Sequence, residues 1–263
     1  MASFVHPKAI VSPYARLGID VSIGAFSVIG DHVVLGDHTQ IGVGVVIEGN
    51  TKIGEYNRIH AHSVIGGTPQ DKKYRDQETE LVIGDRNTIR EFCTLNLGTV
   101  EGGGVTQVGS DNWIMAYCHV AHDCRVGHDC VLANGVQLAG HVELGDYVVL
   151  GGMTGVHQFC KIGSHVMAGV SSVITQDIVP FVTVGGMPLA VHGLNSKGLV
   201  RRGFDESDLN FLKQVYRLLF RRNLTLAEAS QEINSLTELT DQHKMIKQLM
   251  LKFLERTERG ITR

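Results

Sequence analysis

The chain of 263 residues contains little proline, few aromatic side chains and little charge. It has 5 prolines, 6% aromatic and 19% charged residues, and a net charge of -3. So little proline, without a three-residue glycine period, excludes collagen. The nearly balanced charge gives no electrostatic footprint for nucleic acid or for an anionic membrane surface. The 43% of hydrophobic residues suffice for a core, which excludes intrinsic disorder.

Paired cysteines and long apolar runs are also missing. The cysteines are Cys93, Cys118, Cys124, Cys130 and Cys160. Their odd number and the lack of a Cys-x-x-Cys spacing predict reduced, mostly buried thiols rather than disulfides or a structural zinc site. No apolar run approaches the roughly 20 residues that cross a bilayer, and the first residues lack the pattern of a secretion signal. We therefore expect a cytoplasmic protein without a membrane span.

Glycine is abundant, with 31 residues, and it follows a repeat of six. Aliphatic residues stand at every sixth position in a run of Leu17, Ile23, Ile29, Leu35, Ile41, Ile47, Ile53, Ile59 and Ile65. The period resumes over 83–95 and again over 108–174. It fits neither a helix nor an alternating strand, but it is typical of a parallel β-helix with 18 residues per coil. We expect the aliphatic side chains to point inward and the following residues often to sit at corners, where glycine tolerates tight or left-handed backbone.

The repeat divides the chain into two predicted regions. Residues 1–190 form the β-helix, and residues 191–263 form a small α-helical domain that closes its C-terminal end. Two breaks in the repeat predict protruding loops near 66–80, the first loop, and near 97–107, the second loop. Loops that leave a regular solenoid often carry function.

Four histidines gather on one side when residues 18 apart are stacked. His119 and His122 share a coil, His141 lies beside the position stacked on His122, and His157 lies one coil further. Imidazole titrates near neutral pH and suits a general base acting on a hydroxyl. The cluster therefore indicates acid–base chemistry.

Two neighbours of His122 support this interpretation. Asp123 follows it directly and could hold the imidazole tautomer or stabilise the imidazolium. Gly140 stacks on His122 and has no side chain to block its backbone N–H, which could bind an oxyanion.

Further along the chain, the pair Arg201–Arg202 suits a diphosphate, although arginine pairs are common on protein surfaces.

Six segments carry a resemblance to a known family. They are Gln70–Tyr74, His119–Cys124, Leu138–Val142, Val156–Cys160, Arg201–Phe204 and Arg259–Arg263. Together they resemble the UDP-N-acetylglucosamine O-acyltransferases of lipid A synthesis, a family of hexapeptide-repeat acyltransferases. The resemblance implies a left-handed parallel β-helix and a homotrimer whose sites lie between subunits. It implies no metal or cofactor, because acyl carrier protein brings the acyl group as a thioester.

The resemblance also assigns roles to individual residues. It implies that His122 removes the proton of the glucosamine 3-hydroxyl, which attacks the thioester of an (R)-3-hydroxyacyl chain. Asp123 would support His122, and the Gly140 amide would stabilise the oxyanion. Residues matching the nucleotide-sugar and acyl site are Gln70, Asp71, Lys73, His119, His141, His157 and Gln158. Residues matching the uridine and phosphate end are Asn195, Arg201 and Arg202.

Three positions depart from the family pattern. Asn96–Leu97 stands where relatives commonly have His-Arg, which predicts the loss of a secondary contact. Lys197 stands where relatives have an acidic residue, which puts a carboxylate contact to the nucleotide in doubt. Val170 occupies the position of the acyl-length ruler, where long-chain members have glycine.

Three alternative functions stay open from the sequence. A zinc enzyme of the γ-carbonic anhydrase type would need three histidines converging on one ion. A related sugar-nucleotide N-acyltransferase would acylate an amine instead of a hydroxyl. A catalytically silent scaffold would bind acyl carrier protein or sugar nucleotide without using His122.

Val170 predicts the acyl preference. We expect a shorter optimal acyl chain than in the long-chain members of the family, and we expect Val170→Gly to shift the preference toward longer donors, because a smaller side chain leaves more room. Turnover measured across donor lengths checks this. It is contradicted if the wild type works best with the longest donor and the variant keeps the same preference.

Overall fold

The computed structural model describes residues 4–263 and contains a left-handed parallel β-helix followed by four helices. The first fourteen strands are β1 (Phe4–Val5), β2 (Ile10–Val11), β3 (Arg16–Leu17), β4 (Ser22–Ile23), β5 (Val28–Ile29), β6 (Val34–Leu35), β7 (Gln40–Ile41), β8 (Val46–Ile47), β9 (Asn50–Ile53), β10 (Arg58–Ile59), β11 (Val64–Gly67), β12 (Glu80–Ile83), β13 (Thr88–Ile89) and β14 (Thr94–Asn96). The others are β15 (Val105–Val108), β16 (Trp113–Ile114), β17 (His119–Val120), β18 (Arg125–Val126), β19 (Val131–Leu132), β20 (Gln137–Leu138), β21 (Glu143–Leu144), β22 (Val149–Leu150), β23 (Gly155–Val156), β24 (Lys161–Ile162), β25 (Met167–Ala168), β26 (Val173–Ile174), β27 (Val182–Gly185) and β28 (Ala190–Leu194).

Every third strand joins the same sheet, so the strands form three faces of a prism. Sheet 1 runs from β1 through β4 and β7 to β28, sheet 2 from β2 through β5 to β26, and sheet 3 from β3 through β6 to β24. Parallel partners are 18 residues apart, as in Ser22 with Gln40. The step grows to 30 between Arg58 and Thr88 and to 25 between Thr88 and Trp113. These longer steps contain the first and second loops, as the breaks in the repeat predict.

The interior of the prism is filled by the aliphatic residue of each hexad. Ile23, Ile29 and Leu35 are all about 1% exposed or less. The aliphatic residues at the later hexad positions are buried in the same way. Burial of these side chains is the main source of stability, since removing apolar surface from water is favourable. All five cysteines are free and buried, which confirms that prediction. Burial raises the pKa of the Cys124 and Cys130 thiols to about 12, so both stay protonated.

The glycines after the aliphatic residues are explained by tight packing rather than by left-handed backbone. Left-handed backbone occurs three residues after the aliphatic, at side-chain-bearing residues such as Asp20, Asp123 and His141, with φ of 55°, 62° and 63°. Gly36 directly follows the aliphatic Leu35, and it packs against the backbone of the next coil. A Cβ there would come within 2.5 Å of the Gly54 carbonyl carbon. Of the two expected geometries, left-handed backbone is therefore not the reason for glycine at this position; the close approach of the next coil is.

The helical region closes the end of the prism. Its helices are α1 (Ser196–Arg201), α2 (Glu206–Phe220), α3 (Leu226–Ser235) and α4 (Asp241–Glu255). Asp205 and Thr225 cap α2 and α3 through capping boxes with Asp208 and Glu228. Strand β28 pairs antiparallel with β27 and crosses the predicted boundary at residue 190. None of the helices within residues 4–263 is both long enough and apolar enough to cross a membrane.

The contact between coils predicts the effect of adding one methyl group. We expect Gly36→Ala to lower the free energy of unfolding by about 1–3 kcal/mol, because the Cβ would press on the backbone of the next coil. Gly169→Ala is the matched control: its Cβ would come no closer than 3.6 Å to the neighbouring Val184 carbonyl oxygen. Denaturant unfolding of both variants checks this, and equal losses at the two positions would contradict it.

Candidate active site

A histidine and an aspartate meet at the corner between sheets 2 and 3, directly after β17. The His122 Nδ1 lies 2.7 Å from the Asp123 Oδ2. Asp123 is only 5% exposed. Since Nδ1 faces the carboxylate, this nitrogen carries the proton, and Nε2 keeps a lone pair for another group. We call His122 and Asp123 the dyad.

The carboxylate of the dyad is held ionised by its hydrogen bonds. Burial acts to raise the pKa of Asp123, but the hydrogen bonds from His122 and Thr99 outweigh it and keep the pKa below its ordinary value. Thr99 in the second loop donates its backbone N–H to Oδ1 at 2.8 Å and its hydroxyl to Oδ2 at 2.6 Å. The Asp123 N–H donates to Thr106 Oγ1 at 2.7 Å. Neither threonine belongs to the motifs found in the sequence. The second loop contains the glycine run Gly102–Gly104, which gives no indication of the residue it supports.

Gly140 faces the imidazole from the next coil, as the 18-residue spacing predicts. A Cβ on Gly140 would lie 2.5 Å from His122 Cε1 and 2.7 Å from Nε2, so glycine leaves the space that the ring fills. Equivalent amides elsewhere on the prism, such as those of Ile19 and His128, donate to an aspartate one coil further. Within residues 4–263 the Gly140 N–H has no such acceptor. It is therefore available to a ligand.

His141 completes the corner next to the dyad. Its ring meets that of His122 edge-on at 5.1 Å and stacks on Phe159 at 4.4 Å. Its Nε2 lies 3.7 Å from the Asp123 Oδ2. Burial lowers the pKa of His141 and outweighs the opposing charges of Asp123 and Asp71, so the neutral form is favoured. Phe159, which lies in the Val156–Cys160 segment, belongs to the site through this stacking, although the resemblance assigned it no role.

An open groove of about 510 Å³ runs along sheet 2 beside the dyad, and we call it the histidine groove. It brings together the predicted residues Gln70, His119, His122, Gly140 and His157. Its lining is mostly apolar, and the exposed Val173 side chain contributes to it. A groove with one reactive corner and a mostly apolar lining suits a substrate that carries both a hydroxyl and a hydrocarbon chain.

His119 lies on the wall of the histidine groove. Its Nδ1 is 2.7 Å from the hydroxyl of Thr94, one coil back on sheet 2. Burial lowers the pKa of His119, and the charge of His122 lowers it further. His119 is therefore neutral near pH 7 and offers a hydrogen bond rather than a charge.

The first loop reaches the corner only in part. The charge of Asp71 acts to raise the pKa of His141, against the larger effect of burial. The Asp71 side chain also accepts the Lys73 N–H at 2.9 Å, which shapes the turn. Lys73 and Gln158 are exposed, and neither lines the histidine groove.

The predicted uridine and phosphate residues lie elsewhere, in a groove of about 710 Å³ that we call the arginine groove. It contains Asn195, Arg201 and Arg202 beside residues of sheet 1. Arg202 also covers the Tyr147 ring at 5.0 Å. Asn195 is 8% exposed and caps α1: its amide donates to the His165 carbonyl and its oxygen accepts from Gly198. Within one chain, the predicted site residues therefore lie on two different faces of the prism, sheet 2 and sheet 1.

The three departures from the family pattern have distinct surroundings. The Asn96 amide donates to the carbonyls of Gly67 and Thr68 at 3.2 and 3.1 Å, so it anchors the base of the first loop. Lys197 lines the arginine groove. Val170 is 72% exposed at the corner between sheets 1 and 2.

Three donors at the corner also raise the question of a metal site. Ligand atoms of His122, Asp123 and His141 lie within 4.8 Å of one another. Tetrahedral zinc at about 2.1 Å would hold its ligand atoms about 3.4 Å apart. The 2.7 Å between His122 Nδ1 and Asp123 Oδ2 is instead a direct hydrogen bond. The corner fits a proton-transfer dyad better than a zinc centre.

Comparison with known proteins agrees with the fold and the motifs. The family description "Udp N-acetylglucosamine O-acyltransferase; Domain 2" matches residues 177–262, and "Bacterial transferase hexapeptide (six repeats)" matches 32–67 and 106–140. The acyl-[acyl-carrier-protein]--UDP-N-acetylglucosamine O-acyltransferase of Thiobacillus denitrificans is 54% identical, over 98% of this chain and 99% of its own. The corresponding protein of Verminephrobacter eiseniae is 51% identical, over 99% and 100%. The chain belongs to the UDP-N-acetylglucosamine O-acyltransferase family.

A solved member of the UDP-N-acetylglucosamine O-acyltransferase family has the same overall structure. The crystal structure of the Moraxella catarrhalis protein is 40% identical and superposes with a TM-score of 0.94, over 98% of this chain and 99% of its own. The predicted membership of this acyltransferase family and the predicted fold are confirmed. A carbonic anhydrase assignment is not favoured.

Proposed function

We propose that this protein transfers an (R)-3-hydroxyacyl chain from acyl carrier protein to the 3-hydroxyl of UDP-N-acetylglucosamine, the first step of lipid A synthesis. The observation that carries the proposal is the dyad at the reactive corner of the histidine groove, one coil from the Gly140 N–H, which has no acceptor among residues 4–263. Family membership over the whole chain supports the choice of donor and acceptor.

The reaction follows from the protonation state of the dyad. His122 Nε2 accepts the proton of the sugar hydroxyl as its oxygen attacks the thioester carbonyl carbon. Asp123 stabilises the imidazolium that forms, because its carboxylate accepts the Nδ1–H. The intermediate then collapses and expels the carrier protein thiolate, which takes the proton back from His122. No covalent enzyme intermediate is required.

The tetrahedral intermediate carries a negative charge on the former carbonyl oxygen. The Gly140 N–H is the donor proposed for it, since it has no acceptor within the described residues and lies one coil above His122. Such a donor acts strongly in a site shielded from water. Gln70, Asp71, Lys73, His119, His141, His157 and Gln158 remain the proposed contacts to the sugar and the acyl chain.

A homotrimer would reunite the two halves of the site. The histidine groove lies on sheet 2, whereas the arginine groove lies on sheet 1 beside α1. Adjacent arginines suit the diphosphate of the acceptor. We propose that Arg201 and Arg202 of one subunit serve the His122 of its neighbour. The cytoplasmic location stays a prediction, consistent with an acyl carrier protein donor.

Two alternatives differ in measurable ways. An N-acyltransferase would prefer an acceptor with a 3-amine, but the relatives are named O-acyltransferases, which favours the hydroxyl. A silent scaffold would not need an ordered dyad or a neutral His141 beside it.

The direct test is acyl transfer from (R)-3-hydroxyacyl carrier protein to UDP-N-acetylglucosamine. We expect the wild type to be active and His122→Ala to lose at least about 100-fold in kcat, because the general base is removed. His128→Ala, at an exposed corner on the same prism, is the control and should keep its activity. A wild type inactive with every acyl length overturns the function. Full activity in His122→Ala overturns the mechanism alone.

A mixed oligomer tests whether sites lie between subunits. His122→Ala and a double variant with Arg201→Ala and Arg202→Ala should each be nearly inactive alone. Co-expressed, they should regain activity at about a quarter of the sites, because random mixing pairs an intact histidine with an intact neighbouring arginine pair. Differently tagged subunits purified together provide the sample. No recovery in a verified mixed oligomer would contradict a shared site.

A further inference from the structure

We propose that Thr99 is a positioning residue, and that the second loop acts through it as a clamp on the carboxylate of the dyad. The inference rests on the proposed role of His122. It concerns a part of the chain that contributes nothing to the lining of the histidine groove.

Thr99 holds the Asp123 carboxylate through two donors. Its backbone N–H and its hydroxyl bind different oxygens of the same carboxylate, at 2.8 and 2.6 Å. The torsion of an aspartate carboxylate is broad and roughly two-fold when nothing restrains it. Two donors from one residue fix the plane of the Asp123 carboxylate and leave Oδ2 directed at His122 Nδ1. Thr99 therefore determines where the imidazole is held.

Hydrogen bonds within the second loop keep Thr99 in place. The Gly102 and Gly104 N–H groups both donate to the Thr99 carbonyl, at 3.1 and 2.7 Å, and close a tight turn behind it. The Gly102 N–H also approaches the Thr99 hydroxyl at 3.2 Å. Gly104 has a φ of 82°, which L side chains rarely adopt. The glycine run thus supports one threonine.

The backbone of the second loop packs tightly against the Asp123 carboxylate. A Cβ on Gly102 would fall 2.0 Å from the Asp123 carboxyl carbon, so the loop backbone lies directly against the acid. The loop and the coil together bury the Asp123 side chain to about 1% exposure. A buried carboxylate is costly unless its hydrogen bonds are complete. The second loop supplies those bonds and excludes water from the dyad.

The chemistry of the clamp predicts a change in kcat rather than in KM. Thr99→Val keeps the shape of the side chain and the backbone donor but removes the hydroxyl donor to Oδ2. The carboxylate would then hold the imidazole less well, while the substrate contacts in the histidine groove stay intact. We expect kcat to fall about ten-fold, a part of what a general base contributes, with KM changed less than about two-fold.

The experiment compares four variants with the wild type in the acyl-transfer assay. Thr99→Ser restores the hydroxyl and should recover most of kcat. Gly102→Ala should lower kcat as Thr99→Val does, because its Cβ displaces the same carboxylate. Thr39→Val removes a buried hydroxyl that donates to the Gly54 carbonyl in the N-terminal coils, so it should lower Tm and leave kcat unchanged.

The outcomes separate the clamp from the proposed function. Wild-type kcat in Thr99→Val, or a large loss in Thr99→Ser, overturns the inference. So does a loss confined to KM or to Tm, which would indicate a purely structural role. If Thr99→Val does not fold, Thr99→Ser and Gly102→Ala still decide the question. Full activity in His122→Ala overturns the proposed mechanism, and an inactive wild type overturns the proposed function.

Discussion

Hydrogen bonding between successive coils is the interaction on which the rest of this structure depends. Each coil donates backbone N–H groups to the carbonyls of the next, as in the 2.8 Å bond from Phe4 to the Val21 carbonyl. The bonds hold the coils at the strand spacing of about 4.8 Å. At that distance a side chain at Gly36 has no room, because the backbone of the next coil is already there. The glycines with this close contact follow from the coil spacing.

The same spacing builds the reactive corner. The His141 N–H donates to the His122 carbonyl at 3.1 Å, which places consecutive corners directly above one another. Gly140 then lies over the imidazole, and its lack of a side chain serves both the coil contact and the ring of His122. Asp123 and His141 adopt left-handed backbone at these corners, with φ of 62° and 63°. Left-handed backbone is costly for residues with a Cβ, so the coil around them must hold it.

Positions inside the repeat were predictable, and positions outside it were not. The period of 18 predicted that His122 and Gly140 would be neighbours. The repeat left open whether tight packing or left-handed backbone explains the glycines, because both produce the same enrichment. It also missed Thr99, which precedes Asp123 by 24 residues across an insertion that breaks the register. A loop closes by contacts of its own, and no period encodes them.

For this protein, the residue pattern alone was sufficient for the fold class, the stacking of the histidines and the family, because hydrogen bonding between coils repeats along the chain and leaves a periodic trace. The folded chain was needed to show that the second loop completes the hydrogen bonds of Asp123 and that Arg201 and Arg202 lie on a different face from His122. Both facts depend on side chains and loops that meet across the prism. Their spacing in the sequence obeys no rule, so only the packed structure brings them together.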